Sequence, residues 1–281
     1  MRTVHSKRYP RSSGNGRLFL LLLIVIACAA VMSASKGFPI LSLPVAASTP
    51  VPLPQATATA SDNTLTLERQ SWYAVQLGAY DTEALALEAA DGFRSRGAAG
   101  YVVQDGLYRV LAAAFPVREE ADSVLQQLQQ QDGFDSAILY RLSAEEVILQ
   151  VVATPIQASA LAQGYALLPE MIRELSRLSL ALDRATMDTA AVRAAAGTNL
   201  TRIRQLLTTM DLSLAGAKNA IVTGLTDLLT ASAKAMEQLA AAQDDKPLSF
   251  SAQIKYNHLD ILWRYVEYVH AMTAYHTSTR G

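Results

Sequence analysis

Few side chains in this sequence have the types and spacing that catalysis requires. His258, His270 and His276 lack the i, i+4 spacing of a zinc-binding HExxH helix. The sequence contains neither a G-x-S-x-G elbow nor a phosphate-binding P-loop, and Cys28, the only cysteine, lies in an apolar run. The carboxylates are scattered, with no arranged acid and base. We therefore expect a non-enzyme that uses no metal and no cofactor.

Gln76 and Arg109 have the side chains of a binding site. Each lies in a segment where apolar residues recur at every second position, which is the period of a half-buried strand. If Val75 and Val110 face a helical layer, Gln76 and Arg109 share the opposite sheet face. An amide and a guanidinium can hydrogen-bond hydroxyl and acetamido groups, so this face is a candidate sugar platform. The same period adds Trp72, Ala74, Leu107 and Leu111 to it, and leaves the side of Tyr101 and Val103 open.

The two strands belong to a segment that nearly repeats itself. Residues 73–80 (YAVQLGAY) are echoed by residues 108–115 (YRVLAAAF), 35 positions later. The offset continues into a predicted helix after each strand, and a fixed offset of this kind indicates a duplicated supersecondary unit. With turn signals at Gly97 and at Asp105-Gly106, the pattern predicts a β-α-β-β-α-β order. The fold class is α+β, with a four-stranded antiparallel sheet, two helices on one face and an uncovered second face.

Three stretches of this unit resemble the SPOR (sporulation-related repeat) domain: residues 72–80 (WYAVQLGAY), 93–97 (FRSRG) and 107–110 (LYRV). The resemblance implies that residues 68–145 bind septal peptidoglycan through the open sheet face, preferring glycan strands without stem peptides. By this resemblance Gln76 matches the family's first-strand glutamine and Arg109 its third-strand arginine. The sequence departs from the family pattern at two platform positions. Ala79 stands where the family often has serine, and Leu107 stands where it often has an exposed aromatic residue. The candidate glycan-binding residues are Gln76, Arg109, Trp72, Leu107, Leu111, Tyr101 and Ala79.

The N-terminal region is predicted to attach the protein to a membrane. Residues 18–35 form an apolar run after a basic tail, residues 1–17, which the positive-inside rule places in the cytoplasm. A cleaved signal peptide is the alternative, and either one exports the remainder. Residues 36–67 are rich in Pro, Ala, Ser and Thr, so they are predicted to form an extended linker.

Residues 155–276 are predicted to form an antiparallel helical bundle of three helices, because apolar residues recur there at heptad spacing. Pro169 is expected to break or kink the first helix, and the second is expected to begin after Gly197. The last helix, from about Ser249, carries aromatic residues on several sides. It lies either at the centre of the bundle or at a surface for a protein partner or self-association.

These features together predict a single-pass bacterial cell-membrane protein whose bulk is extracytoplasmic and binds glycan strands in the septum during division or sporulation. One alternative is an envelope scaffold that binds no sugar and acts through its bundle, and another is a regulator of a murein hydrolase. A net charge of -1 without a basic stripe on the folded part gives no reason to expect nucleic-acid binding.

Overall fold

The computed structural model describes residues 59–131, 133–217, 219–243 and 246–278, with side chains through residue 274. The predicted cytoplasmic tail, the membrane span at 18–35 and most of the predicted linker lie outside the described residues. Among the helices that are described, none is both long enough and apolar enough to cross a bilayer.

A four-stranded antiparallel sheet forms the first part of the described chain. Its strands lie in the order β3-β4-β2-β5. In chain order the elements are β2 (Gln70–Tyr80), α1 (Glu83–Arg94), β3 (Tyr101–Asp105), β4 (Leu107–Phe115), α2 (Arg118–Gln129) and β5 (Ile138–Ala144). The predicted β-α-β-β-α-β order is confirmed.

Local signals explain where these elements begin and end. The Thr82 hydroxyl accepts a hydrogen bond from the Leu85 amide and caps α1. Gly97 follows the helix with φ of 88°, and Gly106 makes the turn between β3 and β4 with φ of 68°. On the helix-covered face, Val110 packs in a fully buried cluster with Ala86 and Ala90, as the period predicted.

A second, two-stranded sheet pairs β1 (Ser61–Leu67) with β6 (Val147–Ala153) in antiparallel register. The prediction of a linker extending to residue 67 is therefore wrong for residues 61–67. In β1, Leu65 and Leu67 are buried, whereas Thr64 and Thr66 face solvent. Three apolar-polar alternations are a weak signal in isolation, and the partner strand lies more than 80 positions away, so the sequence did not reveal the pairing.

The C-terminal part consists of four helices rather than the predicted three: α3 (Pro155–Asp183), α4 (Thr189–Ser213), α5 (Ala220–Ala241) and α6 (Pro247–Ser278). Two of the three breaks lie at residues 184–188 and 214–219, where Asp188 and Asn219 cap the helices that follow. Pro169 lies inside α3 and Gly197 inside α4. Pro169 and the adjacent Leu168 are buried, and such packing outweighs the local cost of a proline.

Helices α3 and α6 connect the bundle to the two sheets. α3 packs on the β1–β6 pair, and α6 packs across β3, β4 and β5 of the four-stranded sheet. The prediction that the second sheet face is uncovered is therefore wrong, because one continuous core joins the apolar residues of that face to the bundle. On α6, Tyr265 and Tyr268 are buried, which confirms the central position of this helix.

Candidate functional site

The seven candidate glycan-binding residues all lie on the sheet face opposite α1 and α2. The strand register places Gln76 beside Leu111, and Leu111 beside Tyr101, in one row across the sheet. A bulge after Gln76 shifts the register so that Ala79 pairs with Arg109. Tyr101 and Val103 join the core cluster that contains Trp72, which settles the side of β3 that the sequence left open.

This face is divided into a covered part and an exposed part. Trp72 is 2% exposed, Gln76 4%, Tyr101 8% and Leu111 0%. In contrast, Leu107 is 38% exposed, and Ala79 is also exposed. The boundary between the covered and the exposed part therefore runs between Gln76 and Arg109. The side chain of Arg109 retains 23% of its accessible surface.

Side chains of α6 cover the first part of the face. The Tyr101 hydroxyl donates a hydrogen bond to Asp260 Oδ1 at 3.1 Å. Burial, followed by the charge of Asp260, raises the pKa of Tyr101 far above its ordinary value. The His258 ring lies edge-on to Trp72, with 4.8 Å between the ring centroids. Burial lowers the pKa of His258 to about 3, so its imidazole is neutral at physiological pH.

At the boundary, Gln76 and Arg109 contact one another directly. Arg109 Nη1 donates to Gln76 Oε1 at 3.0 Å, and Arg109 Nε lies 3.5 Å from Asp105 Oδ2. The guanidinium also lies over the ring of Tyr140, 5.3 Å from its centroid. These contacts hold the guanidinium at the boundary between the covered and the exposed part of the face.

Sequence reasoning missed two members of this cluster, Asp105 and Tyr140. The Tyr140 hydroxyl donates to Asp105 Oδ2 at 2.9 Å. Burial, followed by this hydrogen bond, raises the pKa of Tyr140 to about 12. Tyr140 precedes the buried Leu142 by two positions on β5, so the period-2 rule applied to that strand could have placed it on the same sheet face as the candidate residues.

The exposed part of the face is here called the open strip and consists of Ala79, Asp105, Leu107, Arg109, Ile138 and Tyr140. It combines a carboxylate acceptor, a guanidinium donor and an aromatic hydroxyl with two exposed aliphatic side chains, since Ile138 is 49% exposed. Such a surface can hydrogen-bond sugar hydroxyls and also cover the apolar faces of a pyranose ring. Within the described ranges, no group of His, Cys, Asp and Glu side chains is arranged to hold a metal ion.

Comparison with protein families identifies the sheet and its two helices. The family model of the SPOR domain matches residues 69–140, which confirms the resemblance drawn from the strand sequences. The chain therefore carries a SPOR domain, which is a binding domain rather than a catalytic one and generally binds peptidoglycan in cell division. Searches of curated proteins and of solved structures find no match to the chain.

Proposed function

We propose that this protein is a non-enzymatic, peptidoglycan-binding protein of the bacterial cell envelope. Residues 18–35 anchor it in the cell membrane, and its SPOR domain binds denuded glycan strands at the septum. The observation that carries this proposal is the cluster around Arg109, where Gln76, Asp105 and Tyr140 hold the guanidinium at the edge of solvent.

The open strip suits a glycan strand chemically. Arg109 donates to hydroxyl or acetamido oxygens, and Asp105 accepts from hydroxyls. Leu107 and Ile138 contact the apolar face of a sugar ring, and the Tyr140 ring supplies the aromatic surface that Leu107 does not provide. Because a hydrogen bond to Gln76 and an ion pair with Asp105 already orient the guanidinium, little side-chain entropy is lost when sugar binds.

Retention of the full chain on purified sacculi tests this proposal. We expect stronger retention on amidase-treated sacculi than on untreated ones, and Arg109→Ala to reduce it about tenfold, because a hydrogen bond from a charged donor is lost. Arg141→Ala is the matched control, since Arg141 is exposed and pairs with Tyr73, on the side away from the open strip. Equal or absent retention on both kinds of sacculi would refute the proposed binding to denuded glycan strands.

A second candidate function is an envelope scaffold that binds no sugar. The observation in its favour is the burial of Trp72, Tyr101 and Leu111 beneath α6, which gives the sheet face a structural role. In this case the bundle carries the function, through a protein partner that could be a murein hydrolase. Fluorescent fusions separate the two candidates: Arg109→Ala abolishes septal localisation if glycan binding directs it, and leaves localisation unchanged in a scaffold.

A further inference from the structure

We propose that α6 is an intramolecular competitor of the glycan. In the closed arrangement described above, only the open strip is accessible, and the full sheet face becomes available when the bundle swings away from the sheet. This inference rests on the proposed glycan-binding function and adds a mechanism that regulates the same face.

The first argument is that α6 and the expected glycan would occupy the same residues. Trp72 contacts His258, and Tyr101 contacts both Asp260 and Tyr256, whose ring centroid lies 5.1 Å from that of Tyr101. Since two occupants cannot fill one surface, docking of α6 and full glycan binding exclude each other.

The second argument is an unpaired polar atom in the contact between α6 and the sheet. His258 Nε2 is buried and has no hydrogen-bond partner among the described residues. An unpaired buried nitrogen reduces the free energy gained by closure.

The third argument is a hinge in the chain. Within the described residues, the chain passes between the four-stranded sheet and the rest of the fold at two places only, Glu68-Arg69 and Glu145-Glu146. The crossings lie side by side, because Leu67 pairs with Val147 just before them and an Arg69–Glu145 ion pair joins them. Rotation about these two links would carry β1, β6 and the bundle away together without breaking any strand pairing.

Opening and binding are then linked thermodynamically. If only a fraction of molecules is open, the apparent dissociation constant for the glycan exceeds the intrinsic one by the inverse of that fraction. A change that weakens the α6 contact without altering the sheet should therefore strengthen binding.

The substitution His258→Asp provides this test, because it places a charge against Trp72 while leaving every sheet residue unchanged. We expect the full-length variant to be retained on amidase-treated sacculi at least about tenfold more strongly than the natural chain. His270→Asp is the control, since it makes the same change at an exposed position of the same helix and should have no effect.

The outcomes separate this inference from the proposed function. Retention of both proteins at equal strength would overturn competition by α6 and leave glycan binding intact. If neither protein is retained, glycan binding itself fails and the inference fails with it. If His258→Asp is retained more strongly than the natural chain and His270→Asp is not, the result supports both glycan binding and competition by α6.

A second measurement does not depend on the folding of that variant. The chain has two tryptophans, so Trp263→Phe leaves Trp72 as the only one. We expect soluble glycan strands, released from sacculi by amidase, to change Trp72 emission, because sugar replaces His258 beside the Trp72 ring. Binding of these strands by the Trp263→Phe chain with unchanged emission would overturn the inference.

Discussion

The two faces of the four-stranded sheet are both covered by helices, but their contacts differ in chemistry. On the face beneath α1 and α2, Val110, Ala86 and Ala90 are fully buried and apolar. On the face beneath α6, the buried residues include Gln76 on the sheet and His258 on the helix. A buried polar group costs free energy unless it is paired, and His258 Nε2 has no hydrogen-bond partner among the described residues, so the α6 contact carries a cost that the apolar cluster around Val110 does not.

The two faces also differ in how the chain brings their helices to the sheet. α1 and α2 follow directly after the strands they cover, whereas α6 begins at Pro247, more than 100 residues after β5 ends. The α1 and α2 contacts are therefore part of the domain itself, and the α6 contact resembles an interface between domains. Burial by itself therefore does not show that a surface belongs to the core of a domain.

The largest expected effect is on the face beneath α1 and α2. Val110→Asp places an unpaired charge in a fully buried apolar cluster, and we expect it to lower the free energy of unfolding by about 4 kcal/mol or more. Urea denaturation followed by circular dichroism measures this change. Val152→Asp is the matched control, because Val152 is 74% exposed and should change stability by less than about 0.5 kcal/mol. A similar loss of unfolding free energy in both variants would contradict the assignment of Val110 to a buried core beneath α1 and α2.

The next effect concerns pH and the face beneath α6. Burial lowers the pKa of His258 to about 3 in the folded chain, from an ordinary value of 6.5. Its contribution to stability is therefore fully present above pH 6.5 and is lost as the pH falls toward 3, by about 2 kcal/mol at pH 5. Urea denaturation at pH 7.5, 6 and 5 measures the loss.

The contribution of His258 can be isolated by substitution. His258→Asn should flatten the pH dependence between pH 7.5 and 5, whereas His270→Asn, at an exposed position, should preserve it. If His258→Asn keeps the full dependence, another group is responsible and the α6 contact is not the pH-sensitive one.

The smallest effect is that of a single hydrogen bond across the seam. Tyr101→Phe removes the bond to Asp260, and we expect a loss of about 1 kcal/mol, because Asp260 remains paired with Arg264. Thermal denaturation measures it. Tyr256→Phe is the control, since Tyr256 is 39% exposed and its hydroxyl should contribute little. A loss as large as that of Val110→Asp would show that the two contacts are equally integral to the fold.

Much of the SPOR domain could be predicted from the sequence because its signals are local. The alternation in β2 and β4 assigned Val75 and Val110 to one face and Gln76 and Arg109 to the other, and the strand pairing confirms this assignment. Thr82 and Gly106 marked a helix start and a turn through the backbone geometry that each favours. These signals extend over a few residues, and distant contacts do not override them here.

Helix boundaries in the bundle were less predictable. Pro169 and Gly197 are residues that end many helices, yet α3 and α4 continue through them. The break between α4 and α5 instead coincides with Gly216, which has φ of 84°. Local propensity is weak compared with the burial of a long apolar helix face, so tertiary packing decided which of the three positions became a turn.

The sequence by itself determined that residues 69–140 form a SPOR domain and which side chains share each face of its sheet, because period and turn chemistry act within a few residues. Only the tertiary structure decided that β1 pairs with β6 and that α6 covers Trp72, Tyr101 and Leu111. Both depend on segments more than 80 positions apart, whose association follows from buried area and shape rather than from any pattern within either segment.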